Sequence, residues 1–390
     1  MPLDFDAVLN RRGTDSLKWD AAGRFYGLDG VIPLWVADMD FPAPPAVVEA
    51  VKSRAAHPVY GYPLESKALW DPVVRWLAER QRWTIQREWL VRVPGVVPAL
   101  NLCVHAFTRP GDGIIIQTPV YHPFYPAVER NGRRLIQNAL RFDGRRFTMD
   151  LDDLARKADA GARMIILCSP HNPVGRVWTA DELLAFGRLC AQRDLLVVSD
   201  EIHSDLIFRG HVQTPFAALG AELAGRTVTL QAPSKTFNTA GLSAAFAVVS
   251  DEKRRSLLKA QIENLGLTMG NVFGFQAMKA AYEGGREWLD GLLAYLEESL
   301  DFVEDFFRRR LPDMSFLRPE GTYLALVDAR RLGLNPKALF RFFLEKARVQ
   351  LDDGTKFGAA LAGFLRMNVA APRAVLREAL ERIEQALRER

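Results

Sequence analysis

The stretch Thr227-Val228-Thr229-Leu230-Gln231-Ala232-Pro233-Ser234-Lys235 joins five residues of strand character to a small-residue turn ending on a lysine. β-branched threonine and valine favour an extended chain, and Pro233 cannot continue the ladder of a central strand. The chain has 11 lysines, and Lys235 alone follows a buried-looking strand with small neighbours. The others lie mostly in charged helical stretches, where solvent exposure is the default. Strand, turn and lysine together pose the question of what shares that end of the sheet.

Working outward, short apolar runs recur at 89–93, 113–117, 164–168, 195–199, 227–231 and 245–250. Most are continuous rather than alternating, as expected of strands covered by helices on both faces. Amphipathic stretches separate them. One, 179–193, opens on Thr179 with Glu182 three residues on, a capping-box pattern. This rhythm predicts an α/β fold with a largely parallel sheet.

Ligands of such sheets collect at the carboxyl ends of the strands. The first run is followed by Pro94-Gly95-Val96-Val97-Pro98, a tight turn into a helix, and the second by Thr118-Pro119-Val120-Tyr121. The next two are followed by Ser169-Pro170-His171-Asn172 and by Asp200-Glu201-Ile202-His203. One edge therefore gathers a helix N-terminus, an aromatic ring, an amide, a carboxylate, an imidazole and Lys235. That set suits a phosphorylated pyridine aldehyde. Free N–H groups at a helix start take a phosphate. A carboxylate keeps a pyridine nitrogen protonated, an aromatic face stacks on the ring, and an amide bonds its phenolic oxygen. A lysine whose pKa is lowered forms the imine.

The bulk numbers bound the alternatives. A chain of 390 residues is too long for one compact core and predicts two domains around a cleft. With 48% hydrophobic and 25% charged residues it has the composition of a globular protein. The 51 basic residues face 47 acidic ones, and no basic run is longer than Arg308-Arg309-Arg310, so no nucleic-acid partner is expected. The N-terminal stretch carries acids and no apolar core of a signal peptide, and no run reaches the roughly 18–20 residues of a membrane span. A cytoplasmic location is the expectation. Cys103, Cys168 and Cys190 lack metal-ligand or CxxC spacing and read as small core hydrophobes, so no metal is expected.

Taken in order, RRGTDSLKWD (11–20), PLWVADMDF (33–41), YGY (60–62), PGVVPAL (94–100), CSPHNPVG (168–175), SDEIHSD (199–205), SKTFN (234–238), NVFG (271–274), GTYLA (321–325) and FLRMNVAAPR (364–373) run the length of the chain. Together they resemble fold-type I pyridoxal-phosphate enzymes, the aspartate aminotransferase superfamily, in its MalY/PatB-type cystathionine β-lyase (C–S lyase) branch. The resemblance implies a large domain with a mostly parallel seven-stranded sheet flanked by helices and a smaller α+β domain. The large domain is placed at 44–282, the small one at 1–43 with 283–390. A long helix at 288–310 and strands at 323–327 and 364–369 are expected in the latter.

The resemblance also assigns roles. Lys235 carries the cofactor as a Schiff base, Asp200 pairs with the pyridine nitrogen, Asn172 bonds the phenolic oxygen with His203 close by, and Tyr121 stacks on the ring. The amides of Val96 and Val97 with the Ser234 hydroxyl hold the phosphate. Tyr62 reaches that phosphate from a neighbouring subunit, which implies a homodimer. Arg366 grips the substrate α-carboxylate in a two-pronged fashion. Two departures stand out: Ala232 occupies a position where a phosphate-binding serine is common, and 238–242 lacks the arginine that aminotransferases carry there.

The implied reaction is α,β-elimination on cystathionine or a related S-substituted cysteine, giving pyruvate, ammonia and a thiol. Lys235 takes the Cα proton. The alternative is a class I/II aminotransferase, which uses the same base and electron sink. No residue separates the two by physical argument, nor cystathionine from other sulfur amino acids. A binding or regulatory module on the same fold would more naturally lack Lys235 or Asp200, and both are present.

Overall fold

The computed structural model describes residues 4–390. Seven strands form the main sheet in the order Leu90–Val93, Ala245–Val248, Thr227–Gln231, Leu196–Asp200, Ala162–Cys168, Gly113–Thr118, Arg134–Ala139. Only Ala245–Val248 runs against its neighbours. The other six point the same way, so their carboxyl ends share one edge.

Continuous apolar runs become the central strands because both faces are covered. Gly113–Thr118, Thr227–Gln231 and Ala245–Val248 are buried at every position. The strand Arg134–Ala139 has no such run and sits at the edge, where burial of Ile136 and Asn138 alternates with exposure of Arg134, Gln137 and Ala139. An edge strand faces solvent on one side of its ladder, so its sequence need not be apolar throughout.

Helices between the strands start where their sequences supply caps. Thr179 Oγ1 accepts from the Glu182 amide at 3.2 Å while Glu182 Oε2 accepts from the Thr179 amide at 2.8 Å, closing the capping box of Ala180–Gln192. Such a cap contributes about 1 kcal/mol. The helix Arg286–Arg310 begins two residues before the expected start. It buries Trp288, Leu292, Leu296, Leu300, Val303 and Phe307, spaced three or four apart along one face.

A second sheet, wholly antiparallel, orders Ser315–Leu317, Leu324–Asp328, Phe364–Asn368 and Asp352–Asp353. Near it the N-terminal pair Ile32–Pro33 lies parallel to Val349–Gln350, so the start of the chain is tied to its last quarter. The main apolar core is continuous between the two halves, running from Trp76, Phe237 and Phe246 to Trp288, Leu292 and Leu300. Among the described residues no helix is long and apolar enough to cross a membrane.

Candidate active site

The carboxyl edge of the main sheet opens into a cavity of about 270 Å³. Eight of the ten expected site residues line it: Val96, Val97, Tyr121, Asn172, Asp200, His203, Ser234 and Lys235. They stand at the ends of five strands of one sheet or in the turns beyond them, which is why residues far apart in sequence converge.

Lys235 lies in the short helical turn Pro233–Thr236. Its Nζ donates to the carbonyl of Ala37 at 2.6 Å. Burial, reinforced by repulsion from Arg366, brings its pKa down to about 8. A usable fraction of neutral amine therefore exists near neutral pH, as imine formation requires. Asp200 ends its strand fully enclosed, and burial pushes its carboxyl up to about 7. Its Oδ1 accepts from the Ile202 amide at 3.2 Å. A buried carboxylate with so little compensation calls for a cationic partner. A protonated pyridine nitrogen supplies one.

Other polar atoms at the cavity are similarly unmatched. The Nδ1 of buried His203 has no partner, and burial holds the imidazole pKa well below its ordinary value, so the ring is neutral. Asn172 accepts from Arg366 Nη1 at 3.0 Å through Oδ1, which leaves its NH2 to donate elsewhere. At the far end the helix Val96–Phe107 begins after Gly95 without a side-chain cap. The Val96 and Val97 amides thus have no intrahelical acceptor and suit a phosphate. The hydroxyl-bearing Ser234 and Ser243 complete that end. The donor set fits a phosphorylated pyridine aldehyde: an anion site at one end, a carboxylate for a ring nitrogen, an amide and an imidazole for a ring hydroxyl, and an amine.

The two remaining expected residues lie elsewhere. Tyr62 is 90% exposed, beside Tyr60, Met269 and Val272 in a shallow depression away from the cavity. Arg366 stands behind Asn172 in the strand Phe364–Asn368 and is buried. Its Nη2 donates to the carbonyl of Trp35 at 2.8 Å and to Asp352 Oδ2 at 2.7 Å.

The sequence reading missed the strap from Trp35 to Phe41 that closes this side. Its carbonyls are taken one after another by side chains: Trp35 by Arg366, Val36 by Asn368, Ala37 by Lys235 and Tyr323. Asp38 is taken by Lys18 and Asn368, and Met39 and Phe41 by Asn238. The acidic side chains of the strap are held too. Asp40 accepts from Arg11 at 2.6 Å, Trp19 at 2.7 Å and Lys18 at 2.8 Å. This explains the 11–20 and 33–41 stretches, which bind each other. Cys168, expected only as core, also borders the cavity, and its Sγ accepts from the Asn172 amide at 3.4 Å.

A seven-stranded sheet presenting a half-buried lysine and a buried aspartate to one cavity defines a fold-type I arrangement. The profile of the aminotransferase class I and II family matches residues 29–383, and the chain belongs to that family. Its similarity to cystathionine β-lyase PatB of Bacillus subtilis (strain 168) is 42% identity, covering 99% of this chain and 100% of that one. Protein MalY of Escherichia coli (strain K12) is 30% identical, with 99% of each chain covered. Among solved structures, cystalysin from Treponema denticola, which contains a pyridoxal 5'-phosphate cofactor, superposes with a TM-score of 0.96 at 37% identity, covering 100% of both chains.

Proposed function

We propose that the protein is a pyridoxal-phosphate-dependent C–S β-lyase acting on cystathionine or a related S-substituted cysteine. The observation that carries the reading is the half-buried Lys235 and the buried Asp200 lining one cavity. The full-length likeness to a cystathionine β-lyase supports the lyase assignment.

When bound through Lys235, the cofactor supplies an electron sink for the pair left behind when Cα loses its proton. This chain's residues do the rest. Asp200 would hold a proton at the pyridine nitrogen. Asn172 and His203 would hold the ring hydroxyl, and Tyr121 would cover the ring face. The Val96 and Val97 amides with Ser234 would anchor the phosphate. Lys235 would take the Cα proton at Nζ and hand it to the departing sulfur. Arg366 orients the substrate through its α-carboxylate. Ala37 gives the free lysine amine an acceptor within reach.

We further infer a homodimer, in which the exposed Tyr62 reaches the phosphate of the partner's site. The exposed Val59, Tyr60, Leu64 and Met269 near it support an interface there. The division into 44–282 and 1–43 with 283–390, and a cytoplasmic location, belong to the same reading. The N-terminal pairing with Val349–Gln350 supports the first.

The test is an absorbance spectrum of the purified protein followed by cystathionine and a pyruvate assay. A visible cofactor band and pyruvate without added keto acid are expected. A band with amino transfer that depends on a keto acid would move the activity to the aminotransferase reading. No band after adding pyridoxal phosphate would remove Lys235 from its role.

A further inference from the structure

A guanidinium takes a carboxylate two-pronged on either of two faces, and both faces use a hydrogen of the same terminal nitrogen, Nη2. In Arg366 that nitrogen is engaged twice, by the Trp35 carbonyl at 2.8 Å and by Asp352 Oδ2 at 2.7 Å. Nη1 gives one hydrogen to Asn172, and Nε is buried with no partner. The donors left over therefore do not form a matched pair. An incoming carboxylate has to displace one of the two acceptors on Nη2, and Asp352 is the one of the same chemical kind.

Asp352 is not held by Arg366 alone. Its other oxygen, Oδ1, accepts from Lys356 Nζ at 2.8 Å. Taken by itself the Asp352–Lys356 contact is a helix-spaced pair of the sort that contributes little. Here, however, the side chain of Asp352 is only 5% exposed while that of Lys356 is 46% exposed. The lysine thus reaches from solvent to a carboxylate that is buried against the arginine. The three charges sum to +1 with Lys356 present and to zero without it.

We infer that Asp352 and Lys356 set the affinity of the site for the substrate α-carboxylate by contesting Arg366. Asp352 occupies the face that the carboxylate needs, and Lys356 gives Asp352 somewhere to turn when the carboxylate arrives. This rests on the reading of Arg366 as the carboxylate site. Removing Lys356 leaves Asp352 with Arg366 as its only cationic partner among the described residues, and the substrate then meets a neutral pair. Removing the charge of Asp352 leaves Lys356 with nothing to draw away.

The experiment is a double-mutant cycle on the cofactor-loaded enzyme. It reads the shift of the visible band on titrating L-alanine, which has the carboxylate but no sulfur leaving group, and KM and kcat for cystathionine. Lys356→Met is expected to weaken L-alanine binding and raise KM roughly five-fold, the upper range for a partly exposed pair, with kcat little changed. In an Asp352→Asn background the same change is expected to have no effect. An equal effect in both backgrounds, or none in either, overturns the inference. If Asp352→Asn does not fold, Lys356→Arg decides: it should behave like the parent enzyme, and a loss equal to that of Lys356→Met counts against the inference. A lack of pyruvate from cystathionine would instead count against the lyase reading, while the L-alanine titration still tests the contest for Arg366.

Discussion

The amine of Lys235 and the phenol of Tyr323 donate to one acceptor, the carbonyl oxygen of Ala37, at 2.6 and 2.9 Å. The lysine comes from the main sheet and the tyrosine from the edge of the small one. Their shared acceptor therefore fixes the base against both halves of the molecule. Tyr323→Phe removes one donor but leaves the carbonyl partnered by Lys235. A loss of about 1 kcal/mol in urea unfolding of the cofactor-free protein is expected. A loss above about 3 kcal/mol would mean that the strap depends on the phenol alone.

The lowered pKa of Lys235 predicts how the cofactor-free protein takes up pyridoxal phosphate. The amine is neutral above about 8 in the fold, against 10.5 ordinarily. The rate of band formation should climb with pH around a midpoint near 8. A midpoint near 10.5 would contradict the burial argument. The sign for stability follows from proton counts. Between those pH values the unfolded chain binds the extra proton, so this group's contribution to stability rises with pH there.

Asp200 acts in the opposite sense. Its folded pKa of about 7 lies above the ordinary 3.8, so between these values the folded state binds more protons and its stability falls as pH rises. Asp200→Asn in the cofactor-free protein should therefore be stabilising, by on the order of 2 kcal/mol or more at pH 8. The gain should shrink towards pH 4. Urea midpoints at the two pH values check this. The same variant should lose catalysis by several orders of magnitude once loaded, because no charge remains to hold the ring nitrogen protonated.

Beneath the lysine, Asp205 gathers three buried donors: Trp76 Nε1 at 3.0 Å, Gln81 Nε2 at 3.1 Å and Thr236 Oγ1 at 3.1 Å. Asp205→Ala strands Trp76 and Thr236, while Gln81 keeps Ser204 and Gln231 as acceptors, and a loss of about 2–4 kcal/mol is expected by denaturant unfolding. Thr236→Val removes one donor and should cost about 1 kcal/mol.

Sedimentation should find a dimer. Tyr62→Phe should weaken retention of pyridoxal phosphate several-fold on dialysis, with the dimer intact. Unchanged retention would remove Tyr62 from the phosphate site.

What the sequence made legible follows from the sheet. Asp200 ends an apolar strand and Tyr121, Asn172 and Lys235 stand just past one, and parallel strands bring those positions to one edge. Arg134–Ala139 escaped notice because an edge strand need not be apolar. Ala37 was invisible because its contribution is a carbonyl, which every residue possesses. Asp352 and Lys356 resemble an ordinary surface pair at helix spacing, and only the burial of Asp352 against Arg366 distinguishes them. Tyr62 carries no local signal, since within its own chain it lines a separate depression with Tyr60 and Met269.

The strap from Trp35 to Phe41 also dictates when the site can exist. Trp35 waits on Arg366, 331 positions later in the chain, and Val36 on Asn368, 332 positions later. The main sheet, from Leu90 to Val248, can pair as its strands leave the ribosome. The Trp35 and Val36 end of its strap cannot be fastened until nearly the last residues have been made. During synthesis the lysine therefore faces a strap tied only by earlier residues such as Lys18, Asn238 and Tyr323. Chains interrupted before Phe364–Asn368 should carry the sheet and its lysine yet leave the pocket unclosed, which makes completion of the chain the step that commits the site to its final shape.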